Sequence, residues 1–211
     1  MRRITIIVLC IILFAVGSAT AGTWKDSFDD NKISEKWTPI AWSMTDSPDW
    51  KIENGILKGN WPLWNAQMLF LSDYPSLDYT IQVKCRIDKV WQVPELAAAG
   101  IIFRSSGPGK TPEDNVSSFY GFGVGDTGAR FAVVYGGKWH IMETSPRKHD
   151  IGKWYTLKIV AKETGVSCYV DNELVYKLYG ANLDGKFVGL SMGSNISASF
   201  DDFSITDQTE K

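Results

Sequence analysis

Histidine is scarce in this chain. His140 and His149 are the only two in 211 residues, and they do not form the His-x-x-x-His spacing that holds a metal on one helix face. No Gly-x-Ser-x-Gly elbow presents a nucleophilic serine, although a Ser–His–Asp set assembled by the fold stays open. "GFGVGDTG" is rich in glycine. No helical pattern follows it, so it lacks the element that completes a phosphate cradle. Cationic excess is missing too. The formal charge is −2, which gives no electrostatic reason to bind nucleic acid or an anionic membrane surface. Internal repeats and low-complexity tracts are absent. The apolar run from Ile4 to Val16 is short for a membrane span.

That run sits in "MRRITIIVLCIILFAVGSATAG". Arg2 and Arg3 precede it and Ala19-Thr20-Ala21 follow, the order of a secretory signal peptide with a small-residue cleavage site. The expected organisation is a signal peptide over residues 1–21 and one domain over 22–211, exported to a secreted, periplasmic or extracellular location. Nothing is then left to hold the mature chain in a membrane. Loss of Arg2 and Arg3 leaves 20 basic against 24 acidic side chains. A chain of this size can bury one good core.

Cys85 and Cys168 remain after cleavage. Both alternate in phase with apolar neighbours, Cys85 in "YTIQVKCRID" and Cys168 in "GVSCYVD", so both point toward a core. An exported chain permits a disulfide between them. Two buried free thiols acting as small hydrophobes are the other reading.

Beyond the signal peptide, apolar runs are short, alternating and rich in Val, Ile, Phe, Tyr and Trp. Turn-like clusters separate them, as in an antiparallel β protein. Thirteen runs read as strands, from "DWKIENG" to "SASFDDFSI". So many strands in one domain require two packed sheets, an all-β sandwich or jelly roll. Asp171-Asn172, between "SCYV" and "ELVY", suits a tight hairpin. The longest polar loop is Arg104 to Ser118.

Several stretches together resemble a known superfamily. "GKWYTLKIVAKETGVSCYVDNELVYK" gives a Gly-Lys-Trp start, a strand and a hairpin, and "GKFVGLSMG" and "ASFDDFSI" follow it. "WKIENGILKG", "AGIIFR" and "FYGFGV" come earlier in the matching order. Nearly the whole mature chain resembles the concanavalin A-like lectin/glucanase superfamily. Within it, the chain is most similar to the laminin-G-like and the 3-keto-disaccharide-hydrolase-like jelly rolls, the latter often labelled family-16 glycoside hydrolase-like. The resemblance implies two curved antiparallel sheets with ligands met on the concave face or its rim. It is a resemblance of fold more than of function. The Glu-x-Asp-x-x-Glu strand of family-16 glucanases is missing, and with it the carboxylate pair that retaining hydrolysis needs. Catalytic residues are therefore unassigned.

Binding candidates come from aromatics and glycines. Six of the nine tryptophans precede residue 65. Trp50 and Trp154 begin strands and read as core, and Trp24 and Trp37 as packing under the N-terminal segment. Pro62 breaks strand pairing, so "NWPLWN" reads as a loop that presents Trp61 or Trp64 to the flat C–H face of a sugar. Trp91, and Trp139 with His140, flank other loops. In "SFYGFGV", Phe119, Gly121 and Gly123 share a face whose glycines leave a shallow floor for a ligand. Arg104 ends an apolar strand. It either bonds an internal carboxylate or carbonyl or forks into the groove; Arg130 lines the same groove. Asp201 and Asp202, with Asp26, Asp29 or Asp30, read as capping carboxylates before they read as a structural calcium site; no other metal or cofactor is expected. The leading expectation is a lectin-like module whose partner is a carbohydrate or polysaccharide. The alternatives are a 3-keto-disaccharide-hydrolase-like enzyme and a laminin-G-like domain with a protein partner.

Overall fold

A computed structural model describes residues 22–41, 48–61, 66–71, 74, 76–91, 98–108, 118–136 and 138–208. Among the described residues there is no helix. Fifteen strands follow one another: β1 (Thr23–Asp26), β2 (Trp37–Ala41), β3 (Trp50–Glu53), β4 (Ile56–Trp61), β5 (Gln67–Leu71), β6 (Tyr79–Val90), β7 (Ala98–Ser105), β8 (Phe119–Gly125), β9 (Gly128–Tyr135), β10 (Lys138–Thr144), β11 (Tyr155–Lys162), β12 (Gly165–Val170), β13 (Glu173–Leu178), β14 (Phe187–Met192) and β15 (Ile196–Asp207). The short strands β1 and β2 are additions to the sequence reading.

The strands form two antiparallel sheets. One has the order β13-β12-β11-β6-β15-β4-β3, with β1 beside β15; the other runs β10-β9-β8-β7-β14-β5-β2. In the eight-stranded sheet burial alternates along β6 and β11, the mark of one face on the core and one in water. Tyr79, Ile81, Val83, Cys85 and Ile87 face inward from β6, against Ile101, Phe103, Phe122 and Leu190 of the other sheet within one core. By contrast β7 and β8 are buried along almost their whole length. The seven-stranded sheet therefore carries apolar and small residues on its outer face as well.

Turn chemistry sets the hairpins. Asp171 and Asn172 both have positive φ, 51° and 66°, as a two-residue turn with the strands' own twist requires. On β15, Ile196–Phe200 pairs with β4 and Phe203–Thr206 with β1. An irregularity between Asp201 and Ser204 marks the change of neighbour.

The two cysteines are free and buried. The register explains why. Cys85 on β6 stands opposite Tyr155 of β11, and Cys168 on β12 opposite Ile159 of the same strand. With β11 between them and four residues of offset along it, the cysteines are roughly 16 Å apart, beyond the Cα separation a disulfide spans. Burial pushes both thiols up in pKa.

Candidate functional site

Strand register builds the site. Three rows of residues cross the outer face of the seven-stranded sheet. The first joins Ser191, Gly100, Gly123 and Arg130; the second joins Gly189, Ile102, Gly121, Ala132 and Ile141. The third joins Phe119, Val134 and Trp139. Ile102, Phe119 and Val134 form a mound with Met68 and Phe70. Beside it the small side chains leave a groove of about 270 Å³, with Ala66, Gly100, Gly121, Gly123, Ala132 and Ser191 among its floor residues. Trp139 and Ile141 line one part of it, Gly193 and Ser194 another.

Among the described residues, Trp139 is the tryptophan that lines this groove. It comes from β10, the edge strand, and remains 40% exposed. Its ring stands edge-on to Phe119 at 5.3 Å, an arrangement aromatic quadrupoles favour. A Cβ placed on Gly121 would lie 3.4 Å from that ring. The glycine thus leaves the indole room to lie low over the floor.

Arg130 is the one ionisable side chain among the described lining residues. It is only 8% exposed. Its Nη2 donates to Thr127 Oγ1 at 2.5 Å, tying the guanidinium to the β8–β9 turn. A strap after β10 grips that turn. Ser145 N donates to the Ala129 carbonyl at 2.8 Å, and His149 Nδ1 lies 3.3 Å from the Gly125 carbonyl. Burial pushes His149 below its ordinary pKa.

The other residues singled out from sequence fall elsewhere. Trp61 is 3% exposed: β4 continues up to it, and the phase set by Leu57 and Gly59 turns its ring into the core. It is not a presented platform. Trp64 lies outside the described residues, as does much of the 104–118 loop. Trp91 is half-buried just past β6; its backbone N–H donates to the Asn195 carbonyl at 2.9 Å, and Lys89 Nζ lies 5.0 Å from its ring centre. His140 alternates with Trp139 and stacks on Tyr135, centroids 4.1 Å apart, on the opposite face of β10. Trp154, read as core, is half-buried under the Arg86 guanidinium at 4.7 Å.

Arg104 takes the internal reading. Strand alternation would send it outward beside Ile102, toward the groove. At φ 49° it leaves the strand conformation, and the β7–β14 register slips there. The side chain is 2% exposed. It donates to the carbonyls of Leu77 (3.4 Å), Ala181 (3.5 Å) and Glu163, and its own N–H donates to Tyr79 Oη at 3.2 Å. The bulge thus converts a groove residue into an internal tie.

The acidic residues near the N-terminus also have partners. Asp26 accepts from Trp37 Nε1 at 2.8 Å and from the Phe28 N–H at 2.9 Å. Asp29 accepts from Ser27, and Asp202 pairs with Lys84 at 2.6 Å. Among the described residues no group of three or more His, Cys, Asp or Glu could hold a metal ion.

Residues 23–206 match the family model of a 3-keto-alpha-glucoside-1,2-lyase-like domain. Similar solved structures include the carbohydrate-binding module CBM66 from Bacillus subtilis, 18% identical over 82% of this chain and 96% of that one, TM-score 0.62. The catalytic domain of an endo-1,3-beta-glucanase (laminarinase) from Thermotoga petrophila is 12% identical over 90% and 99%, TM-score 0.60. The GH43 protein BlXynB from Bacillus licheniformis is 16% identical; the match covers 87% of this chain but 39% of that one, TM-score 0.60. A search of curated proteins finds no match. At these identities the structural likeness is one of fold: the concanavalin A-like jelly roll that the sequence resembles.

Proposed function

We propose that this chain, which belongs to the 3-keto-alpha-glucoside-1,2-lyase-like family, binds carbohydrate in the groove on its seven-stranded sheet. The observation that carries the reading is the pairing of a half-exposed indole, Trp139, with a low floor of small residues and a buried guanidinium. A pyranose offers a flat C–H face to an indole and hydroxyls to Arg130, Ser191 and Ser194. Sites for small ligands combine a largely apolar wall with a few placed polar groups in this way. The carbohydrate-binding module and the two glycoside-acting enzymes of like fold are consistent with a carbohydrate-active β-sandwich.

Binding without cleavage is the preferred form. Glycoside hydrolysis by the usual route needs two carboxyl groups flanking the bond, and among the described lining residues there is neither Asp nor Glu. A lyase or hydrolase is the second reading, favoured by the description of the family itself. A flat surface with every tryptophan buried would favour the protein-interaction reading; the exposed Trp139 on a groove argues against it. Export by way of residues 1–21, with cleavage after Ala21, completes the proposal.

A polysaccharide panel on the purified protein, scored in the same wells for retention and for released sugar, tests it. Retention without release supports a binding module. Release makes the chain an enzyme. A panel that shows no retention and no release overturns the carbohydrate reading.

A further inference from the structure

The strap after β10 carries a buried imidazole. His149 is 4% exposed. Its Nδ1 lies 3.3 Å from the Gly125 carbonyl. A carbonyl only accepts, so Nδ1 carries the proton of the neutral ring. The other nitrogen, Nε2, is buried and has no hydrogen-bond partner. The ring stands edge-on to Tyr155 of β11, centroids 4.7 Å apart. In the neutral ring Nε2 shows only a lone pair. Protonation puts an N–H and a positive charge there with no acceptor, which burial penalises. Of the surrounding groups, Arg147 and Asp150 come from the strap and Asp171 from the turn after β12. Arg147 is itself paired with Glu173, and Lys153 Nζ sits 5.2 Å from the Tyr155 ring centre. Asp126 follows Gly125 in the turn that the histidine meets. Burial is the largest influence and lowers the pKa of His149; Arg147 adds to it, against the Gly125 carbonyl and the two aspartates.

That turn stands behind the groove. The strap lies directly on it: a Cβ on Gly128 would stand 1.8 Å from the Ser145 carbonyl oxygen. Ser145 N also donates to the Ala129 carbonyl at 2.8 Å. Between Gly125 and Gly128 lies Thr127, whose Oγ1 accepts from Arg130 Nη2 at 2.5 Å, and Arg130 lines the groove. From this chain of contacts we infer that His149 is a positioning residue for the groove: its neutral ring clamps the β8–β9 turn and sets where Thr127 holds Arg130, and its protonation loosens the turn and weakens carbohydrate binding. The inference rests on the carbohydrate reading above and adds its regulation by pH. Affinity is complete above about pH 6.5, the ordinary histidine value, and falls as pH drops through the lower value of the folded protein. By reciprocity, saccharide binding favours the neutral ring and expels a proton near that pH.

Two measurements on the purified protein keep the clamp apart from the carbohydrate. Amide hydrogen exchange of residues 125–130 in the free protein is followed from about pH 7.5 to about pH 5, a range that spans the histidine titration, after correction for intrinsic exchange. Protection is expected to fall about fivefold or more toward acid. Calorimetry with neutral gluco-, xylo- and laminari-oligosaccharides over the same range should show at least one whose Kd rises about fivefold or more toward acid. Buffers of different ionisation enthalpy should reveal the released proton. His149→Asn keeps a donor near the place of Nδ1 and cannot charge, so its affinity and protection should not change with pH. His149→Phe keeps the edge-on ring and loses the donor, so it should bind weakly at every pH. Asp126→Asn should leave the pH profile in place. Circular dichroism checks that each variant is folded. Constant protection in the native protein overturns the inference, as does a pH profile that persists in His149→Asn or vanishes in Asp126→Asn. Binding with a flat pH profile overturns it and leaves the carbohydrate reading standing. Binding of no oligosaccharide at any pH overturns both.

Discussion

Replacing Trp139 by alanine separates a ligand platform from a structural aromatic. A tryptophan presents about 250 Å² at most, and 40% of Trp139 is exposed, so a stacked ring can cover roughly 100 Å² of indole. At about 25 cal/mol per Å² that is an upper value near 2.5 kcal/mol, or about 60-fold in Kd. Incomplete overlap brings the expected loss to between about 5-fold and 60-fold. The stability cost should be small, about 0.5–1.5 kcal/mol for the edge-on contact with Phe119. Trp61→Ala is the matched control. Its ring is 3% exposed within the core, so truncation should cost about 3–5 kcal/mol of stability and leave the affinity of the folded fraction unchanged. Calorimetry for affinity and urea unfolding for stability read both variants. Unaltered affinity in Trp139→Ala, or loss of affinity at full stability in Trp61→Ala, would refute the assignment.

Three further outcomes follow from the same geometry. Gly121→Ala should be tolerated, because its Cβ would stand 3.4 Å from the Trp139 ring and 3.9 Å from the Phe119 ring, both ordinary contacts. Gly123→Ala should lose about 1–3 kcal/mol, because its Cβ would stand 2.6 Å from the Ala99 carbonyl oxygen; urea midpoints compare them. Arg104→Ala should destabilise by roughly 3 kcal/mol or more, since it strands buried carbonyls of three segments, while binding by the folded protein persists. His149 supplies a pH signature. Burial and, less strongly, Arg147 disfavour its charged form, against the Gly125 carbonyl, Asp171 and Asp150. A depressed folded pKa means the contribution is present above about 6.5, the unfolded value, and is lost as pH falls through the folded one. The melting temperature should therefore drop on acidification below about pH 6.5, and His149→Gln should flatten that part of the profile. An unchanged slope in the variant would rule the histidine out.

The fold was largely legible because alternation is a local signal. β6 and β12 announce their inward faces by period alone, and Asp171-Asn172 announces its turn. β1 and β2 were missed because each is short, and β2 contains Pro39, which ordinarily argues against a strand. The site was legible only in part. The glycines of β8 and Arg130 were read as lining one groove, and the register places Gly123 and Arg130 in the same row; Trp139 was read only as flanking a loop. Ala132, Ile141 and Ser191 carry no signal of their own; register alone brings them beside Gly121 and Gly123. One expectation that failed and two readings left open each have a physical cause. Pro62 suggested a loop, yet a proline can follow a strand directly, and counting in twos from Leu57 already turns Trp61 inward. Arg104 obeys alternation until a single positive φ reverses it, and no residue type there gives that away. A disulfide needs proximity, and inward orientation alone could not show that β11 lies between Cys85 and Cys168.

The most direct test of the central claim is the position of a bound saccharide, taken from the first oligosaccharide that the protein retains and located by crystallography. The account predicts a sugar ring over Gly121 against Trp139, within hydrogen-bonding reach of Arg130. A sugar seated on the outer face of the eight-stranded sheet, or at Trp91 or Trp154 with the groove empty, would contradict it.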